Sequence, residues 1–287
     1  MDIETKDDLA AASEEKPFYK IIIHSFFVIP FLIAVFCVLL FAGMHLLTSE
    51  KRSAYDYLED VKIGGINKRW QGAFELSKIL ANPKHVPKEE RFVNEMISAF
   101  EHASHDDDRV RQYLALAMGR TQDPRFTQAL VDSLEHEKEE NLAATIYALG
   151  MLRQKDTAPA IYQYTEHPSA RLRSISVVAL GNIANPEAAQ VLRARLHDAE
   201  DNVKWGAAVS LAHLGDQSGI DVLGNMLDRQ YLGKFIEVDA GEQNQLILTA
   251  LDAIDILNST TLSKQVEQLA ASDQNMKVRA KAQDILK

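Results

Sequence analysis

Four segments of this chain place a very small residue at the same point of the same pattern. VRQYLALAMGRTQD from Val110, NLAATIYALGMLRQ from Asn141, LRSISVVALGNIAN from Leu172 and VKWGAAVSLAHLGD from Val203 align so that Gly119, Gly150, Gly181 and Ala212 fall 31 residues apart. A fixed period in the range of roughly 20–50 residues marks stacked supersecondary units, none of which can bury its apolar face alone. Each segment carries apolar residues at helical spacing. Each is followed by a break and a second amphipathic run: PRFTQALVDSLE from Pro124, TAPAIYQYTE from Thr157, PEAAQVLRARLHD from Pro186 and SGIDVLGNMLD from Ser218. Pro124 and Pro186 suit the first turn of a helix, where the missing N–H has no intrahelical partner. The unit is therefore helix, turn, helix.

Weaker copies flank the regular ones. NKRWQGAFELSKIL from Asn67 pairs with EERFVNEMISAFEHA from Glu89, and LILTALDAIDILN from Leu246 is followed by TLSKQVEQLA from Thr261 and MKVRAKAQDILK from Met276. Divergent ends are expected of a stack, since a terminal unit presents one face to water. The pattern predicts an all-α fold, an α-solenoid of about six helix pairs over residues 67–287. Small residues such as Ala115, Ala117, Ala144, Ala148, Ala179, Ala207 and Ala208 let helices approach, with Leu116, Ile146, Val177 and Leu211 filling the seam. Arg111, Arg173, Lys204 and Arg279 share one phase, and Asp107 and Glu200 are the acidic residues expected to pair with them.

V-R-x-x-A-x-x-A-L-G-x-I, as these copies spell it, resembles the pattern of short bacterial HEAT repeats, including the phycobilisome-lyase-like group. The resemblance covers roughly residues 67–287. It implies an α-solenoid of HEAT-like pairs and, for function, a protein–protein interaction scaffold, with a chromophore-lyase-like or other enzyme built on HEAT repeats as the alternative.

Ahead of the repeats, residues 21–47 form a run of 27 without Asp, Glu, Lys or Arg. At about 1.5 Å per residue it spans roughly 40 Å, more than a hydrocarbon core needs. A cleaved signal would have a shorter apolar stretch, about 7–15 residues, and a small-x-small site after it. The expected organisation is an acidic tail over 1–20, a transmembrane helix over 21–47 with Pro30 inside it, a polar linker over 48–66 and the solenoid. Lys6, Lys16 and Lys20 before the span stand against Lys51, Arg52 and Lys62 after it, then Lys68 and Arg69. That small excess points the solenoid to the cytoplasmic side of a cell membrane.

The formal net charge of −10 disfavours nucleic acid, whose phosphates need a clustered basic surface. Cys37 is the single cysteine, so no internal disulfide or cysteine-based zinc site can form. His105, His136, His167 and His197 recur with the repeat. Equivalent points on stacked helices lie about 8–10 Å apart, too far to share one metal whose ligands sit at about 2 Å. Only His102 and His105, with Asp106, Asp107 and Asp108 beside them, could converge. No phosphate loop, nucleophile elbow or H-E-x-x-H is present. No catalytic residue, cofactor or metal is therefore expected, and the partner expected is a protein, an integral-membrane or membrane-associated complex.

One irregularity remains. The position matching Ala212 in the next unit is Asp255, 43 residues on, so about 12 residues have been added around Arg229 to Glu242. Insertions in repeat proteins map to loops on one face, often the binding face. Arg229, Tyr231, Leu232, Lys234 and Phe235, with Ile236, are the expected partner contacts, because aromatic and Arg side chains are the commonest interface anchors.

Overall fold

The computed structural model describes residues 24–48, 52–105 and 107–287, which fall into two compact units divided at Arg52/Ser53. In the first, a π-helical turn His24–Val28 leads into α1, Ile29–Thr48. The wide turn abuts Pro30, whose ring can neither donate to the carbonyl four residues back nor pack against it. Phe26–Met44 has a mean hydropathy of 2.8 with none of it buried, long and apolar enough to cross a membrane.

The second unit is a two-layer stack. One layer holds the first helix of each pair: α3 (Ile66–Ile79), α5 (Asp108–Thr121), α7 (Glu139–Leu152), α9 (Ala170–Ile183), α11 (Asp201–His213) and α14 (Ala240–Leu257). The other holds their partners: α4 (Glu90–His102), α6 (Thr127–Ser133), α8 (Ala158–Tyr162), α10 (Ala189–Arg195), α12 (Ile220–Met226) and α15 (Ser263–Ser272). Helices α2 (Ala54–Ile63) and α16 (Met276–Ile285) close the two ends. The one-turn helix α13, Arg229–Leu232, lies within the insertion.

The period is written in the backbone as well as in the packing. Gln122, Arg153, Ala184, Gly215 and Asn258 are the residues with positive φ among those described, and they follow the ends of α5, α7, α9, α11 and α14. Their spacings repeat the 31-residue step three times and the 43-residue step once. A left-handed residue turns the chain off a helix end and satisfies its last carbonyls. After four of these turns an Asx or Gln residue follows, and Asp123, Asn185 and Asp216 cap the next 3-10 turn by accepting from the N–H two residues on.

Glycine sets how close successive first helices come. A Cβ built on Gly119 would lie 2.8 Å from the Ala148 Cα, one on Gly150 2.9 Å from the Ala179 Cα, and one on Gly181 2.8 Å from the Ser210 Cα. Each glycine thus faces a small residue of the next helix. Buried Ala115, Ala117, Ala148, Ala179, Ala207 and Ala208 support the same packing, with Ile146, Val177 and Leu211 fully buried beside them. Leu116 departs from expectation: it is half-buried on the outer side of the layer, one position off the seam that Ala115 occupies.

Buried side chains separate into two clusters that meet in α11. Val203 and Leu211 belong to the larger one, which begins at Ala54, while Trp205, Ala208 and Ala212 belong to the one that runs on to Ala282.

Two further expectations need correction. The polar stretch 48–66 is not all linker: α2 starts in a capping box between Ser53 and Asp56 and buries Ala54, Leu58 and Val61. Its apolar residues recur at helical spacing, masked in the sequence by charges on the opposite face. Arg111, Arg173 and Lys204 of the cationic phase do form ion pairs, but not with Asp107 or Glu200, and Arg279 instead donates to the Asp273 carbonyl. Arg111 meets Glu137 at 2.6 Å and Arg173 meets Asp198 at 2.8 Å, both largely buried, while Lys204 turns to Asp201 at 3.0 Å and Asp107 holds Arg109 at 2.6 Å. The acids come from the loop after the second helix, which returns over the start of the first helix of the same pair, so each ion pair closes one unit. The Arg173 guanidinium outweighs the burial of Asp198 and holds its carboxyl below the usual range. Finally, the four periodic histidines stand singly near the ends of second helices, His105, His136 and His197 exposed and His167 accepting from the Ser169 N–H at 3.1 Å.

Two substitutions three residues apart should move stability in opposite directions. Gly181→Ala drives a methyl into Ser210 and is expected to destabilise by about 1–3 kcal/mol. Ala184→Gly relieves a left-handed alanine and is expected to stabilise by roughly 1 kcal/mol. Thermal unfolding of the full chain in detergent reads both signs.

Candidate functional site

An apolar groove of about 550 Å³ lies on the second unit between α9, α11 and α14. Val178 comes from α9, Gly206 and Val209 from α11, and Leu246 and Thr249 from α14. Trp205, 8% exposed, and Met226 of α12 form its base. The insertion supplies the remaining wall through Glu237, Val238 and the start of α14 at Glu242. Along α11 the groove runs from Asn202 to His213, about 16 Å at 1.5 Å per residue.

The repeat explains where the groove falls. The three tight crossings place glycine at positions 119, 150 and 181, but the fourth has Ala212, and the insertion enters between α11 and α14. Adjacent backbones meet less closely without glycine. The phase Leu116, Tyr147, Val178 and Val209 lies on the exposed side of the first-helix layer, with Tyr147 43% and Val178 38% exposed. This apolar strip runs into the groove. A large apolar residue recurring on the outward phase of four helices was the sequence signal for this site, and it went unused because the same residues also fit a seam.

The insertion is arranged differently from its expected role as a set of outward contacts. Leu232 is fully buried in the C-terminal core. Arg229 grips Asp273 through two bonds of 2.6 and 2.8 Å and reaches Asn244 at 2.7 Å. Burial alone would raise the Asp273 carboxyl, yet Arg229 and the Asn275 N–H bring it below the usual carboxylate range. Tyr231 and Phe235 are half-buried. Phe235 sets its ring edge-on to Trp205 at 5.1 Å and to Tyr231 at 5.3 Å, and the Tyr231 hydroxyl donates to Asp201 at 3.1 Å. Lys234 stays exposed, 5.8 Å from the Tyr231 ring, and Ile236 is 98% exposed. Arg229 and Leu232 therefore anchor the insertion, and Tyr231 and Phe235 brace the base of the groove. The side chains that face outward are Lys234, Ile236 and Glu237.

Among the described residues, Glu237 and Glu242 are the charged lining groups and no Lys or Arg lines the groove. His213 keeps an exposed edge, but burial of the rest of its ring and the nearby Arg153 push its pKa down, against a smaller pull from Asp252. It is neutral at pH 7. Among the described residues no group of three or more His, Cys, Asp or Glu could hold a metal. His102 hydrogen-bonds to the Ser98 carbonyl of its own helix at 2.7 Å, and Asp106 lies outside the described residues.

Residues 97–165 and 157–231 match the family described as HEAT repeats. Among solved structures, the chain is similar to the complex of CpcE and CpcF of phycocyanin lyase from Nostoc sp. PCC7120, at 17% identity and TM-score 0.58 over 83% of this chain and 96% of that one. It is also similar to YibA of Escherichia coli, at 17% identity and TM-score 0.50 over 85% of each chain. At these identities the likeness is one of fold. No curated protein matches.

The inward and outward residues of the insertion should separate cleanly by stability. Arg229→Ala leaves Asp273 buried without its partner and is expected to cost about 3–5 kcal/mol, and Leu232→Ala about 2–5 kcal/mol. Ile236→Ser should stay within about 0.5 kcal/mol. Equal melting temperatures for the three variants would contradict the burial described.

Proposed function

We propose that this chain, a HEAT-repeat protein, holds a protein partner beside a membrane through the groove between α9, α11 and α14. The observation that carries this reading is an apolar hollow left open at the junction where the repeat is broken, next to three successive junctions that glycine closes. Stacked helix pairs offer extended binding surfaces, and an apolar strip leading into a groove is the kind of exposed patch that marks an interaction site. Residues 21–47 act as the anchor, supported by the length and hydropathy of α1. Anchoring restricts the search for a partner to the membrane surface, so a weak contact suffices for a stable association. The solenoid lies on the cytoplasmic side in this reading, following the excess of basic residues after the span.

A second reading has a specific observation behind it. A groove of about 550 Å³ falls within the roughly 300–1,000 Å³ of small-molecule sites, and the fold is shared with phycocyanin lyase subunits. A chromophore-handling role would show as a change in the absorption of an added bilin that Val209→Asp removes.

The scaffold reading is tested by placing a photo-reactive amino acid at position 209 in the groove or at position 190, exposed on α10. Irradiated membranes are expected to give a protein adduct from position 209 and none from position 190. Deletion of residues 1–47 is expected to release the chain from carbonate-washed membranes. No adduct from position 209, or retention of the shortened chain, would refute the binding or the anchoring half respectively.

A further inference from the structure

Resting on the reading of the groove as a protein site, we infer that its occupant is an amphipathic helix of about three turns carrying Lys or Arg at the end that meets Glu237 and Glu242.

The walls decide between a helix and an extended peptide. Val178, Val209, Leu246 and Thr249 project from three helices, whose main-chain groups are already bonded within themselves. Against these three helical walls an extended segment would bring unpaired N–H and C=O groups with no backbone partner to offer them. A helix arrives with its backbone satisfied and shows the groove only side chains. The groove's length of about 16 Å matches some eleven helical residues, which present four or five apolar side chains on one face.

Charge sets the polarity of the occupant. Glu237 of the insertion and Glu242 in the first turn of α14 line the groove on the side of the helix starts, where Asn202 lies in the first turn of α11, and among the described residues nothing cationic lines it. Glu242 accepts from the Asp239 N–H at 3.0 Å through one carboxylate oxygen, so its other oxygen remains for a partner. Glu237 is exposed and has no ion-pair partner among the described residues. At the opposite end His213 is neutral at pH 7 and Asn182 is uncharged, so neither asks for a countercharge. Ile236, next to Glu237 in the chain, is 98% exposed, and no described residue covers it.

The experiment uses the full chain in phosphatidylcholine nanodiscs, with Trp70→Phe so that Trp205, at the groove's base, is the remaining tryptophan of the 2 in the chain. Three synthetic 14-residue peptides are titrated, with empty discs as the blank. One has a Leu stripe at helical spacing and two terminal Lys, its twin has two Glu instead, and the third has the Leu positions scrambled. The Lys peptide is expected to shift Trp205 emission to the blue and bind at least tenfold tighter than the Glu twin at low salt, the gap narrowing as salt rises. Glu237→Gln is expected to shrink that gap several-fold, and Val209→Asp to abolish binding with the helical circular dichroism unchanged. Should Val209→Asp unfold the chain, Val178→Asp serves in its place.

Equal affinity for the Lys and Glu peptides, indifference to Glu237→Gln, or equal binding of the scrambled peptide would each overturn the inference. So would a disc holding two chains with Trp205 emission already blue-shifted, which would make a second copy the occupant. Photo-adducts from position 209 are independent of these titrations, so a protein captured there while the peptides fail sinks this inference and leaves the scaffold reading standing.

Discussion

Everything in the solenoid depends on how near one first helix can come to the next. Gly119, Gly150 and Gly181 face Ala148, Ala179 and Ser210 with no room for a methyl group between them. That contact fixes the register of each helix against its neighbour, because sliding by one residue would set a larger side chain against the glycine's backbone. Within each pair, the loop after the second helix returns over the start of that pair's own first helix. There Glu137 and Asp198 reach Arg111 and Arg173.

The period was legible for the same reason that it is structural: close backbone approach needs glycine or alanine, and those letters recur at a spacing a reader can count. What the period could not supply was direction where it lapses. Four residues of α13 make barely one turn, too short for any apolar rhythm to say which side faces the core, so Arg229 and Leu232 looked as outward as Lys234. Their inward course follows from Asp273, 44 residues further on, a distance across which sequence gives no hint of pairing. α2 escaped notice for a related reason. Its three buried residues are outnumbered by the tyrosines and charges around them.

The groove was half-legible. Its α9 and α11 contributions, Val178 and Val209, share a phase that could be read directly, whereas Val238, Glu237 and Leu246 belong to it through the path of an insertion. A repeat protein gains specificity in this way at modest cost, since altering one junction leaves the others to carry the fold. HEAT-like architecture itself says little about chemistry. The apolar strip, the two carboxylates and the absence of a lining cation are what distinguish this surface from any other face of the stack.

The two buried clusters meet within α11, which gives Val203 and Leu211 to one and Trp205, Ala208 and Ala212 to the other. A stack coupled only through neighbours can come apart at its weakest junction, the C-terminal section opening while the rest stays folded. The groove straddles that seam, with α9 on the far side and α14 on the near side. An occupant touching both walls acts as a splint: at a hundred times its dissociation constant it adds about 2.7 kcal/mol to the closed form. The C-terminal helices would then exchange amide hydrogens slowly when the groove is filled and quickly when it is empty, so that a partner's presence is felt well beyond Thr249, the last residue of the groove, at the far end of α16.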